Sequence, residues 1–261
     1  MKLIFMQKKV KLSIYYFTIV LALFLALNFL VIRSINDPMT NHIADGVVRS
    51  LLAILSAFLL GKIIQSNGFK FSFSFQYMKK TLLASLPILL LIVLAALRLI
   101  NVVEINFHFE PFSTYIAISL LRDLSSGIFE EVWFRGLLMT ATLYYYGNTA
   151  KGRLLVVIAT SLLFGLGHYG GGLSQIFSTF LGGVVFSAVY VYSMNLLLIG
   201  LLHGLMNSLT AMVNIEQIRS IGMAYAVGVA NLVLSIAALA FAIIIIVKSE
   251  PFSKKLTLKF D

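Results

Sequence analysis

The chain has 261 residues, of which 60% are hydrophobic and only 11% are charged, and it contains no cysteine. A soluble domain carries about a quarter charged residues, so this composition excludes an ordinary soluble enzyme and a disordered chain, and it excludes chemistry based on thiols. The formal net charge of +10 would suit a nucleic-acid binder, but the distribution of the charges indicates another origin.

Apolar stretches long enough to cross the roughly 30 Å hydrocarbon core of a bilayer recur along the whole chain. They predict eight membrane-spanning helices, separated by turn-forming residues such as Pro38, Gly68 and Pro111. The expected ranges are 12–32, 47–64, 81–100, 114–145, 154–168, 174–192, 196–212 and 224–247. The expected fold class is therefore all-α, a polytopic membrane helix bundle that forms a single transmembrane domain over residues 1–261.

Lysine and arginine residues are distributed unevenly between the two sides of this bundle. If the N-terminus is inside, the inner segments hold fourteen of the twenty, the outer segments hold four, and the fourth span holds Arg122 and Arg135. The inner residues are Lys2, Lys8, Lys9, Lys11, Lys62, Lys70, Lys79, Lys80, Lys151, Arg153, Lys248, Lys254, Lys255 and Lys259. The outer residues are Arg33, Arg49, Arg98 and Arg219. The positive-inside rule then predicts a multi-pass protein of the cell membrane with both termini in the cytoplasm, attracted to anionic lipid, and no nucleic-acid partner is needed.

A charged side chain inside a membrane is costly, so the few ionisable residues within the spans indicate a functional site. Glu131 and Arg135 stand four residues apart in the fourth span and can form an ion pair on one helix face. Glu130 then points about 100° away, unpaired by its own helix, with Asp123 on nearly the same face two turns earlier. One held carboxylate beside one available carboxylate suits general-base chemistry. The alternative is a polar contact that only joins helices.

Two further polar clusters lie in later spans. His168 follows Phe164 by one turn and precedes a run of three glycines, so the fifth helix is expected to end beside it. His203 and Asn207 stand four residues apart on one face of the seventh helix. Taken singly, His168 could be an interfacial histidine and the His203–Asn207 pair could be an interhelical hydrogen bond. Together with the glutamates they favour catalysis, because a purely structural bundle does not need to bury this set.

The three clusters resemble the motif set EExxxR, FxxxH and HxxxN of the CAAX-protease and bacteriocin-processing family (CPBP, or Abi) of intramembrane endopeptidases. All three motifs are complete and in order, within residues of about 114–212, which would form the catalytic core. Residues 1–113 would supply three additional spans that carry no motif. The motif positions are Glu130, Glu131, Arg135, Phe164, His168, His203 and Asn207.

The resemblance implies hydrolysis of a peptide bond in a cavity within the membrane. Glu130 would be the general base that activates water, and His168 would hold or polarise that water. His203 and Asn207 would stabilise the oxyanion, while Glu131 and Arg135 would orient the other groups. The family has been described both as metalloproteases and as glutamate proteases without metal. Either Zn²⁺ on Glu130, His168 and His203, with an open fourth position, or no cofactor is compatible with these residues.

The expected substrate is a small peptide or a membrane protein in the lipid bilayer, and bacterial relatives are linked to bacteriocin maturation, self-immunity and peptide signalling. Two other classes of function are compatible with the sequence. One is a catalytically silent membrane scaffold or immunity protein of the same fold. The other is a proton- or ion-coupled transporter, since buried glutamate and histidine also form relays. A transporter is disfavoured because the sequence has no evident inverted repeat.

Overall fold

A computed structural model describes residues 2–64, 73, 78–90, 92, 121–211 and 221–255 of the chain. None of these residues forms a strand, so the predicted all-α class is confirmed for the described part. The helices are α1 (Lys2–Leu30), α2 (Pro38–Ile63), α3 (Met78–Ala84), α4 (Leu124–Glu130), α5 (Thr140–Tyr146), α6 (Ala150–Leu166), α7 (Gly172–Ser193), α8 (Leu196–Ala211), α9 (Ile221–Lys248) and α10 (Phe252–Lys255).

Three stretches of described helix are long and apolar enough to cross a membrane: Lys8–Ser34, Pro38–Ile63 and Tyr169–Ser193. Two shorter apolar helices, Leu196–Ser208 and Leu232–Lys248, accompany them. The predicted spans 81–100 and 114–145 extend beyond the described residues. The protein is therefore a helical membrane protein, whereas the number of eight spans and the orientation of the termini stay predictions.

The described part of the fourth predicted span, residues 121–145, forms the central rod of the bundle. Helix α4 continues without interruption through a π-helical segment, Glu131–Met139, into α5. The wider turn of this segment lets the Thr140 hydroxyl donate to the carbonyl of Arg135, five residues earlier, over 2.8 Å. Every side chain of the π-helical segment is buried. Such segments occur often at functional sites, and this one carries Glu131 and Arg135.

Glycines bring the backbones of α4 and α8 into direct contact. A Cβ added at Gly127 would lie 2.2 Å from the nitrogen of Gly204, and one added at Gly204 would lie 2.6 Å from the Cα of Leu124. Gly200 meets the Cα of Ile128 in the same way, at 2.8 Å. Only residues without a side chain permit so close a crossing. The crossing places His203, on α8, against the end of α4.

Helices α1 and α2 cover the rod on another side. The indole of Trp133 stacks on the rings of Phe17, at 4.8 Å between centroids, and Phe129, at 5.2 Å. Its Nε1 donates to the carbonyl of Phe17 over 3.1 Å, and the Ser13 hydroxyl donates to the carbonyl of Leu137. These contacts bury the aromatic face of the rod and satisfy polar atoms that lipid could not.

The end of α9 is attached to the bundle by Arg153. Its guanidinium donates to the carbonyls of Ile246 (2.8 Å), Val247 (2.9 Å) and Gly147 (3.0 Å). Arg153, which the sequence counts among the cations of the inner segments, is buried and binds helix-end carbonyls, so its charge serves the packing of the bundle. Such carbonyls have no partner within their own helix, and a cation there is favourable.

Candidate active site

The polar residues that the sequence singled out converge on one cavity of about 640 Å³. Glu130 reaches it from the end of α4, His168 from the turn after α6, and His203 and Asn207 from α8. Asp123, at the start of α4, lines the same cavity and forms a hydrogen bond with Ser208. Asp123 and Asn207 are 84 positions apart in the chain, and they share one wall because α4 and α8 cross so closely.

His203 stands between the two glutamates. Its Nδ1 lies 2.8 Å from Oε1 of Glu131, and its Nε2 lies 3.7 Å from Oε2 of Glu130. The ring stacks on Phe186 at 4.6 Å between centroids and is buried. Because a carboxylate can only accept, Nδ1 carries a proton that it donates to Glu131. The ring is therefore fixed in orientation, with Nε2 directed at Glu130.

Glu131 and Arg135 form the ion pair that the sequence predicts. Nη1 of Arg135 lies 3.1 Å from Oε1 of Glu131, and their side chains are 2% and 0% exposed. Nη2 of Arg135 also donates to the carbonyl of Gly183 over 3.0 Å, and the guanidinium lies 4.6 Å from the ring centroid of Phe164. The arginine compensates the charge of Glu131, so this carboxylate can hold His203 without being an uncompensated buried charge.

Glu130 has partners that the sequence interpretation did not assign to it. Its Oε1 accepts a hydrogen bond from the hydroxyl of Ser126 over 2.8 Å and one from Nη1 of Arg49 over 3.4 Å. The expectation of a Glu130 unpaired by its own helix is wrong, since Ser126 lies one turn earlier on α4. A carboxylate whose side chain is only 13% exposed would otherwise bear the full cost of lost hydration.

His168 lies where the sixth described helix ends, as its glycine neighbours predict. The backbone leaves the helical path after Leu166, and Nδ1 of His168 contacts the carbonyl of Phe164 at 2.9 Å. A carbonyl can only accept, so Nδ1 carries a proton, and in the neutral ring Nε2 then carries a lone pair. Among the ion pairs of the described residues, none joins His168 to Glu130, in contrast to His203.

Arg49 and Asp45, on α2, are functional candidates that the sequence interpretation missed. It treated Arg49 as a cation of an outer loop and gave the first three spans no role, whereas both side chains line the cavity. Nε of Arg49 donates to both oxygens of Asp45, over 2.9 and 3.0 Å. The spacing of four residues, next to an apolar run that begins at residue 47, is a signal that could have revealed this pair.

A second cavity, of about 500 Å³, lies on the other side of Glu130 and His168. It is bounded by α1, the rod and the end of α6, and most of its wall is apolar. Its aromatic lining residues are Phe17, Phe24, Phe129, Trp133, Phe134, Phe164 and Tyr169. Both cavities touch Arg49, Glu130 and His168. These groups therefore stand at the boundary between a polar space and an aromatic one.

The geometry favours the metal-free alternative over a zinc ion on Glu130, His168 and His203. No group of three histidine, aspartate or glutamate side chains among the described residues is arranged to hold a metal ion. One oxygen of Glu130 is already engaged by Ser126 and by the positively charged Arg49. A cationic guanidinium on a ligand atom opposes the binding of a divalent cation.

Comparison with known proteins identifies one segment of the chain. Residues 112–209 match a family model described as type II CAAX prenyl endopeptidase Rce1-like. No curated protein and no solved structure matches the chain. The match confirms the resemblance that the three motifs suggested, and every motif residue lies within it. The match spans 98 of the 261 residues of the chain.

Proposed function

Because residues 112–209 carry the type II CAAX endopeptidase family's signature, we propose that this chain is an intramembrane endopeptidase in which Glu130 activates water. The observation that supports this most is the position of Glu130 at the cavity wall, with Oε2 facing Nε2 of His203 at 3.7 Å. A desolvated carboxylate beside an oriented imidazole provides the general base and the hydrogen-bonding group that hydrolysis of a peptide bond needs. The bundle would lie in the cell membrane with both termini in the cytoplasm.

In the first step, a water molecule between Glu130 and His168 attacks the scissile carbonyl carbon. Oε2 of Glu130 accepts one proton of this water, and Nε2 of His168 accepts a hydrogen bond from the other. The lone pair of His168 is available because its Nδ1 bonds to the carbonyl of Phe164. Holding the water in this way removes the entropic cost of bringing it to the peptide bond.

The tetrahedral intermediate that follows carries a negative oxygen, which His203 and the amide of Asn207 would stabilise. His203 can donate from Nε2 when both ring nitrogens are protonated, and its Nδ1 is held by the Glu131 carboxylate 2.8 Å away. Donors fixed in advance inside a dry site are worth far more than in water. The carbon–nitrogen bond then breaks, and Glu130 passes its proton to the departing amine.

No step of this mechanism uses a metal, since the donor set around Glu130 does not suit one.

The two cavities suggest the chemistry of the substrate. A peptide that crosses from the aromatic cavity to the polar cavity would place its scissile bond at Glu130 and His168, which touch both. Its bulky apolar group, a side chain or a covalently attached lipid, would lie against Phe24 and Trp133. Its polar portion would lie near Arg49. Whether such a peptide matures a bacteriocin, confers self-immunity or carries a signal would follow from its identity.

The test uses the full-length protein in lipid nanodiscs. Quenched fluorescent peptides that carry an apolar or prenylated residue next to a polar C-terminus serve as probes, and mass spectrometry locates the cut. Glu130→Gln is nearly isosteric and should lower kcat by at least about 10³-fold. Glu250→Gln, an exposed glutamate outside the site, is the matched control and should retain wild-type activity.

Three outcomes separate the proposal from its alternatives. Cleavage that is lost in Glu130→Gln but retained in Glu250→Gln supports the endopeptidase. A cellular phenotype that persists in Glu130→Gln, His168→Ala and His203→Ala would instead assign the protein a scaffold or immunity role. Ion or proton flux into proteoliposomes that depends on Glu130, without cleavage, would assign it to the transporters.

A further inference from the structure

Arg49 lies outside the segment that matches the family, yet it contacts the carboxylate of Glu130. Its Nη1 is 3.4 Å from Oε1 of Glu130 and 3.0 Å from the hydroxyl oxygen of Ser126. That hydroxyl donates to the same Oε1 over 2.8 Å. Three side chains from two helices thus form a closed set of polar contacts around one carboxylate oxygen.

Arg49 is itself held from two other sides. Nε donates to both carboxylate oxygens of Asp45, one turn earlier on α2, and the guanidinium lies 5.2 Å from the ring centroid of Phe24 on α1. Its side chain is only 17% exposed. A guanidinium fixed in this way loses little conformational freedom when a further bond forms. Its position is therefore set by α1 and α2 before it meets Glu130.

The consequence for Glu130 is that its two oxygens differ. Oε1 is occupied by Ser126 and Arg49, whereas Oε2 faces His203 and the cavity. Rotation of the carboxylate by a quarter turn would break both contacts at Oε1. A general base requires a lone pair directed at the proton that it accepts, and these contacts fix that direction for Oε2.

A salt bridge within α2 alone does not account for this arrangement. The strongest pairing of Arg49 is with Asp45, within α2, and it joins no two helices. Nη1 of Arg49, which reaches α4, donates to the hydroxyl of Ser126 and to Oε1 of Glu130. Asp45 compensates only part of the Arg49 charge, since it also lies 3.9 Å from Nε of Arg122. Arg49 thus contacts Glu130 at 3.4 Å while Asp45, at 2.9 Å, remains its closest charged partner.

We propose that Arg49 is a positioning residue for Glu130, which directs Oε2 toward the reacting water. This inference rests on the proposed function of Glu130 as the base. It assigns a role in catalysis to the second helix, and it predicts that Arg49 affects the rate of the chemical step rather than the binding of substrate.

The experiment compares steady-state cleavage by three variants and the wild type in nanodiscs, with the peptide that the wild type cleaves best. Arg49→Met should lower kcat by about 30- to 100-fold with KM within about threefold, because a misaligned base slows only the chemical step. Arg49→Lys keeps the charge and should recover about tenfold of that loss. Arg33→Met, an exposed arginine near the end of α1, is the matched control and should behave as the wild type.

Chemical rescue separates positioning from a structural role. Arg49→Ala leaves a space beside the cavity, and millimolar methylguanidinium should restore its kcat at least about tenfold, whereas it should not affect Glu130→Gln. Failure of both methylguanidinium and Arg49→Lys to restore kcat would overturn the proposal, as would a kcat within threefold of wild type in Arg49→Met. An inactive Glu130→Gln beside an active Arg49→Met would refute only the role of Arg49, while an active Glu130→Gln would refute the proposed function itself.

Discussion

The crossing of α4 and α8 offers a sharp test of how the fold creates the site. In Gly204→Ala, the new methyl group would lie 2.6 Å from the Cα of Leu124 and 2.9 Å from the carbonyl oxygen of Asp123, whereas ordinary contact begins at 3.4 Å. Both are backbone atoms that cannot rotate away. The helices must therefore separate by roughly 0.8 Å, which typically costs about 1–3 kcal/mol in a packed interior.

This separation falls directly on the candidate active site, because His203 is the preceding residue. The bond from its Nδ1 to Glu131 is 2.8 Å long, so such a shift would bring it to about the 3.5 Å limit of a hydrogen bond. The distance of 3.7 Å from Nε2 to Glu130 would also increase. A displacement of about 1 Å in a catalytic group can cost about 10²-fold in rate.

The assay measures the thermal melting midpoint and the kcat of purified Gly204→Ala beside the wild type. The stability control is Gly182→Ala, a helical glycine of α7 whose added Cβ would meet nothing within 4 Å. We expect a lower melting midpoint and about 10²-fold lower kcat for Gly204→Ala, and an unchanged melting midpoint for Gly182→Ala. Wild-type stability and a rate within threefold of wild type in Gly204→Ala would refute the reasoning.

Three further predictions concern other parts of the molecule. Arg153→Gln should lower the free energy of unfolding by about 2–4 kcal/mol, because three carbonyls lose their donor. Thermal melting measures this, with the exposed Arg33→Gln as control, and equal stability of the two variants would contradict the prediction. Because the chain contains no cysteine, a single introduced cysteine reports on which side of the membrane it lies. A membrane-impermeant maleimide should label Asn36→Cys in intact cells, but Lys254→Cys only after permeabilisation. The reverse labelling pattern would contradict the predicted orientation. Treatment with the chelator 1,10-phenanthroline should leave the cleavage rate within twofold of the untreated enzyme, and the purified chain should contain less than about one-tenth of a zinc ion. Activity that is lost on chelation and restored by Zn²⁺ would refute the metal-free mechanism.

Local spacing predicted those features of the site that lie within one helix. The Glu131–Arg135 ion pair follows from a separation of four residues, and the end of the helix before His168 follows from its glycines. The shared face of His203 and Asn207 follows in the same way. Periodicity acts over one or two turns, so these features could be read directly from the sequence.

Features that depend on how helices pack could not be predicted in this way. The contact of Arg49 with Glu130 joins residues 81 positions apart and exists only because α2 lies against α4. The burial of Arg153 depends likewise on where α9 ends. The hydrogen bond from Ser126 to Glu130 could, however, have been predicted from the sequence, because a serine one turn before a buried glutamate is a local donor.

The central claim is that Glu130 acts as a base on water and does not itself attack the peptide. A single turnover in H₂¹⁸O, followed by mass spectrometry of the product and of the peptide that contains Glu130, tests this directly. We predict one ¹⁸O atom in the new C-terminal carboxylate of the product and none in the side chain of Glu130. Label in the Glu130 carboxylate would reveal a covalent acyl intermediate and contradict the account.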